Sequence, residues 1–140
     1  MTNFITGVDS VLLQPVTATQ SSTHSDRFRA AKCIDGDTTG PDSGFDDRGD
    51  DMCHTNDEPA PWFALDFGKT VLVNRVEIFN RANCCGYRTK NVDVRISDEV
   101  PASGSQMFSG CSLFGHFPGP ATEGEHIIIS GEKKLLNSHY

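Results

Sequence analysis

Three residues combine types and spacing that suggest chemistry: His54, Arg81 and Arg88. Twenty-six residues separate His54 from Arg81, and the run Arg81-Ala82-Asn83-Cys84-Cys85-Gly86-Tyr87-Arg88 joins the two arginines. Two guanidinium groups and an imidazole supply many hydrogen-bond donors of fixed direction. A guanidinium fork can grip two neighbouring oxygens, such as adjacent sugar hydroxyls. Charge-assisted bonds of this kind are stronger than neutral ones. His54 alone would read as an ordinary solvated or core histidine. Its spacing to Arg81 and the adjacent Cys84 and Cys85 set it apart. A bond between neighbouring cysteines closes a tight ring, because adjacent Cα atoms lie about 3.8 Å apart, short of the usual disulfide range. The ring would be a rigid apolar plate for one face of a sugar while the polar residues hold its hydroxyls. Small-ligand sites have this mixed character. A reduced, buried pair is the alternative.

The elements that must position these residues read as strands. Val92, Val94 and Ile96 alternate cleanly with Asp93, Arg95 and Ser97, the pattern of a half-buried strand. Val71, Val73, Val76 and Ile78 alternate imperfectly with polar neighbours. Trp62 to Phe67 reads as a strand ended by Gly68; Phe114 to Phe117 and Ile127 to Ile129 are shorter candidates. One helical turn fits Phe28 to Cys33. Many short strands punctuated by Pro and Gly imply an all-β sandwich or barrel. The arginine run leaves the strand ending at Phe79, so it is a loop at a sheet end, where binding residues sit.

The 140 residues suit one domain, residues 1–140. With 36% hydrophobic and 22% charged residues the composition is that of a globular protein. A net charge of -7 argues against nucleic acid as a partner. No apolar run approaches the roughly 18 residues of a membrane span, so no membrane insertion is expected. Met1 to Pro15 has no basic region followed by an apolar stretch, so no signal peptide is read there. Acidic residues crowd the segment from Asp35 to Glu58, which suits a cation or a solvated loop. Arg48-Gly49-Asp50 spells an integrin-binding tripeptide, a match common by chance. Five cysteines lean towards a secreted, extracellular protein. The odd count leaves a thiol or a partner outside the chain. Cys33 and Cys53 could bridge the acidic loop between them. Zinc fits poorly, since adjacent cysteines lack the spacing of zinc ligands.

The combined pattern resembles the F-type lectins, or fucolectins. Their signature runs from His to Arg, to Asp two residues on, to a basic residue five further. His54, Arg81 and Arg88 occupy three of those positions. Cys84-Cys85 matches the family's vicinal cysteines. Further likeness lies in Ala18 to Ser22, Ile34-Asp35-Gly36-Asp37, Cys53-His54-Thr55, Pro61 to Gly68 and Val76 to Arg81. The likeness covers about residues 17–130. It implies a jelly-roll β-sandwich of the galactose-binding-domain-like type. It also implies a non-enzymatic protein that recognises terminal L-fucose, or a closely related sugar, on fucosylated glycans. His54, Arg81 and Arg88 would hydrogen-bond the sugar, and Cys84 and Cys85 would pack on its face. Phe45 would help to form the pocket for the methyl group, and His24 would touch a neighbouring sugar. A structural calcium is implied at main-chain oxygens of Lys32 and Met52 and oxygens of Asp35 and Asp37, since calcium takes oxygen ligands. A homo-oligomer or a tandem repeat within a larger protein would fit the family's use in cell recognition.

The chain departs from the family at three places. Asn83 stands where the signature has Asp, so it offers a neutral bond rather than a charged one. The loop from Asp35 to His54 is longer. The tail, residues 131–140, lacks the family's closing Cys-Glu strand, which removes expected partners of Cys53 and Cys111 and two expected calcium ligands. Two other readings compete. A protein–protein adhesion module would use the same scaffold. A glycosidase would need two carboxylates flanking the scissile bond, and the acids here cluster away from the arginines.

Overall fold

The structure, a computed structural model, describes residues 12–38, 52–99 and 108–136, with side chains described as far as Gly131. Its strands are β1 (Thr17–Gln20), β2 (Phe63–Asp66), β3 (Val71–Phe79), β4 (Val92–Ile96), β5 (Ser112–Phe117) and β6 (His126–Leu136). Two short 3-10 turns, Ala30–Cys33 and Gly86–Arg88, complete the described elements. The strands pair as three antiparallel ribbons, β1 with β2, β3 with β6, and β4 with β5.

The core forms between the second and third ribbons. Val71, Val73, Val76 and Ile78 of β3 and Ile127 and Ile129 of β6 pack with Phe114 of β5 and with Ala121. Val92, Val94, Ile96 and Phe117 line the other side of that cluster. Each such aliphatic or aromatic side chain contributes about 1.5–3 kcal/mol on full burial. The layers approach closely at Gly115, where a Cβ would lie 2.5 Å from the Ile129 side chain.

β3 explains its own imperfect alternation. Its buried residues keep a period of two through Val71 and Val73, then resume at Val76 and Ile78. The pairing with β6 shifts register between Val73 and Arg75. The break in the alternation of β3 falls at this irregularity. From Arg75 to Val73 is two residues, while their partners Ser130 and Lys134 are four apart, so β6 carries the excess.

The tail from residue 131 has no Cys-Glu closing motif, yet its backbone forms a strand: β6 continues to Leu136 along β3. Ile127 to Ile129 was the only part with a visible apolar signal. Backbone pairing with β3 carries the strand further. β2 ends where Asp66 Oδ1 accepts the Gly68 N–H at 2.7 Å and Gly68 takes a φ of 63°. A side chain there would be strained.

Candidate functional site

One side of the site is built on His54. Cys33, fully buried, is bonded to Cys53, with their Cα atoms 5.4 Å apart. This settles the pairing left open for these two cysteines; Cys111 is a free thiol. The bridge fixes the residue before His54 against the first 3-10 turn. His54 N–H then donates to the Phe28 carbonyl at 3.2 Å, and His24 N–H to the His54 carbonyl at 3.0 Å. Gln20 Nε2 ties the same segment down by donating to the Phe28 carbonyl at 2.9 Å. Three rings gather as a result: His24 and His54 lie 5.0 Å apart between centroids, and Phe28 and His54 5.7 Å.

The tautomer of His54 follows from its partner. Nδ1 is hydrogen-bonded to the Thr55 carbonyl. A carbonyl only accepts, so Nδ1 carries the proton and Nε2 is left as an acceptor. The imidazole pKa lies below its ordinary 6.5. Burial is the main cause; the Thr55 bond opposes it, and the charges of His24, Arg81 and Arg88 add to it. These causes together favour the neutral imidazole.

The other side is built on Asn80, buried at the end of β3. Its Nδ2 donates to the carbonyls of Gly86 at 3.0 Å and Thr122 at 2.8 Å. Its Oδ1 accepts the Thr89 hydroxyl at 2.7 Å. One buried amide thus gathers both ends of the loop from Arg81 to Thr89 and fastens them to the segment before β6. Backbone bonds extend the clasp: Gly124 N–H to the Arg81 carbonyl, Ala121 N–H to that of Thr89, and Asn80 N–H to that of Glu125, all 2.9 Å. Glu123 Oε1 accepts the Gly86 N–H at 3.3 Å. At Gly86 the contact is too close for any other residue, because a Cβ would lie 2.6 Å from the Glu123 nitrogen and the Thr122 carbonyl carbon.

Within this loop Cys84 and Cys85 are bonded to each other, and Cys85 adopts a left-handed φ of 63°. The chain then enters the Gly86–Arg88 turn, with Arg88 N–H donating to the Cys85 carbonyl at 3.1 Å. Arg81 is half-buried, and its Nε donates to Asn83 Oδ1 at 2.6 Å. Burial, then the nearby charge of Arg88, pushes the Arg81 guanidinium below its ordinary pKa, though a guanidinium stays protonated in proteins. The charges of Arg81 and Arg88 both act on His54, so the three side chains lie within electrostatic reach of one another. A sugar hydroxyl, which both donates and accepts, can use all three.

The structure therefore brings His54, Arg81, Arg88 and His24 together and bonds Cys84 to Cys85. Phe45 lies outside the described residues, as does the Arg48-Gly49-Asp50 tripeptide. Sequence reasoning missed Phe28, Asn80 and Glu123. The adjacency of Asn80 to Arg81 was the one available signal, since a polar residue closing an apolar strand needs partners. Lys32 and Met52 flank the Cys33–Cys53 bridge. Asp35 Oδ1 accepts the Asp37 N–H at 3.0 Å. Carboxylate and main-chain oxygens suit a hard cation, but calcium takes six to eight. Among the described residues, no group of three or more His, Cys, Asp or Glu residues is placed to hold a metal.

An all-β sandwich carrying a polar site on loops at one end of its strands defines a ligand-binding domain. The model of the NedA-like, galactose-binding domain family matches residues 32–110, more than half of the chain, and the chain belongs to that family. Among individual proteins, it is 32% identical over 85 residues to the pentraxin fusion protein of Xenopus laevis, covering 61% of this chain and 19% of that protein. It is 28% identical over 102 residues to fucolectin of Anguilla anguilla, covering 70% of this chain and 61% of the relative. With fucolectin-1 of Anguilla japonica it shares 31% identity over 62 residues, 44% of this chain and 34% of the relative. The chain spans less than two thirds of each of these relatives. These likenesses make it an F-type lectin-like domain.

Proposed function

We propose that this domain is a lectin that binds terminal L-fucose, or a closely related sugar, on glycans, without turning the sugar over. The observation that carries the reading is the convergence of neutral His54, Arg81 and Arg88 beside the Cys84–Cys85 ring. The arginines donate to ring and hydroxyl oxygens, Nε2 of His54 accepts a hydroxyl proton, and the cysteine ring packs on the sugar's apolar face. The resemblance to fucolectins points to fucose among sugars.

The reading extends to an extracellular setting, where the Cys33–Cys53 bond persists, and to display in several copies. One monosaccharide buries little area, so roughly micromolar to millimolar dissociation constants are expected for a single site. Useful avidity comes from several sites on one assembly. A structural calcium held by Lys32, Asp35, Asp37 and Met52 belongs to the same proposal; a higher melting temperature in calcium than in chelator is the expected result. Among the described residues, no helix is long and apolar enough to cross a membrane. The sugar reading is tested by a glycan array followed by calorimetry with free L-fucose. Absence of heat at millimolar fucose and fucosylated oligosaccharide would refute it.

A further inference from the structure

Among the described residues, the two arginines of the site are unbalanced in charge. Arg81 gives its Nε to Asn83, a neutral amide. Among the described residues, the Arg88 guanidinium has no hydrogen-bond or ion-pair partner. The ion pairs that do form there join Arg75 to Glu77, Arg95 and His116 to Asp93, and His126 to Glu77, all on strands β3 to β6. Among the described carboxylates, Glu125 has a buried oxygen without a hydrogen-bond partner, and two others are bound to uncharged groups. Glu123 Oε1 accepts the Gly86 N–H, and Glu58 Oε1 accepts the hydroxyls of Ser21 and Ser22 at 2.6 and 2.5 Å. His54 can carry only positive charge and so cannot compensate. Among the described residues, a chain of net charge -7 thus presents two like positive charges at its candidate sugar site. Asn83 holds Arg81 in place as an acid would, but without cancelling its charge.

Two guanidinium groups that repel one another are relieved by an anion placed between them. Their planar forks match the oxygens of a tetrahedral oxyanion in pairs. We infer that the sugar held here carries an anionic ester, sulfate or phosphate, next to its hydroxyls, and that Arg81 and Arg88 take that group. The inference rests on the sugar-binding reading and narrows its ligand. Asn83 is then a specificity residue: a carboxylate in its place would compete with the ester for Arg81.

Calorimetric titration can test this with methyl α-L-fucoside, its O-sulfated and O-phosphorylated derivatives, and inorganic sulfate. The anionic fucosides should bind at least about tenfold tighter than the neutral one. The advantage should shrink as salt rises from 0.05 to about 0.5 M, because exposed charges are screened. In Asn83→Asp the ratio of anionic to neutral affinity should fall towards one. Comparing the sulfate and phosphate arms identifies the ester. Equal affinity of neutral and anionic fucosides would overturn the inference and leave the lectin reading standing. Inorganic sulfate binding as tightly as the sulfated fucoside would overturn it too, as would an unchanged ratio in Asn83→Asp. No binding of any fucoside would overturn both.

Discussion

The histidine side and the arginine side of the site each contain a disulfide, and the two bonds differ in what they span. Cys33–Cys53 joins residues 20 apart and buries Cys33 completely. Cys84–Cys85 joins neighbours. In the chain-entropy account, closing a loop of that first length stabilises the fold by about 3 kcal/mol, whereas adjacent residues close almost no loop. The first bond therefore belongs to stability, and places His54 as a by-product of being next to it. On the proposed function the second belongs to the site, shaping the turn between Arg81 and Arg88 and offering the surface beside them. What holds the arginine side to the rest of the molecule is a buried amide, Asn80, and the close contact at Gly86. A covalent bond near a ligand site is thus no guide to what secures that site.

The largest expected effect tests the stability half of this contrast. Replacing Cys33 and Cys53 together by Ser should lower unfolding free energy by about 3 kcal/mol, read by denaturant titration. The matching double change at Cys84 and Cys85 should barely move the midpoint while markedly weakening sugar binding. Equal losses of stability from the two pairs would erase the distinction. Next come the arginines. Arg81→Ala or Arg88→Ala should remove charge-assisted bonds worth about 1.5–3 kcal/mol of sugar affinity each, with a melting temperature near wild type.

Gly86→Ala asks whether the clasp, rather than the cysteine ring, holds the arginines. Its Cβ would press on backbone of the segment before β6, and overpacking of this kind costs about 1–3 kcal/mol. Stability and affinity should fall together, and an affinity equal to wild type would show that the clasp is dispensable. The smallest effect is that of pH. His54 has a folded pKa below 6.5 because burial disfavours its charged form. The unfolded chain then binds the proton more readily, so its stability contribution is full above 6.5 and declines as pH falls towards the folded pKa. Sugar affinity should decline over the same fall, as protonation removes the Nε2 acceptor. His54→Gln should flatten that dependence.

The sequence carried the strands that alternate and the site residues that belong to a motif. β4 was legible because Val92, Val94 and Ile96 repeat with the period of a strand exposed on one face. The far half of β6 was not, because it is held by pairing with β3 across a register shift. His54, Arg81 and Arg88 were visible from spacing, and their meeting follows from the family they resemble. Glu123 was invisible and Asn80 was signalled only by its place at the end of an apolar strand, because their importance lies in partners distant in sequence. Phe28 was hidden in a stretch read only as a helical turn. The bond between Cys33 and Cys53 was an open alternative, since spacing alone cannot choose among five cysteines.

The clasp also has a consequence in the order of synthesis. His54, Arg81 and Arg88 leave the ribosome well before the segment that fixes the arginine loop; Asn80 waits for Thr122, 42 residues downstream. Contacts of such long range form late and slowly. On the proposed function, the nascent chain carries His54, Arg81 and Arg88 before the segment that clasps the arginine loop, so sugar binding should begin only once Thr122 has emerged.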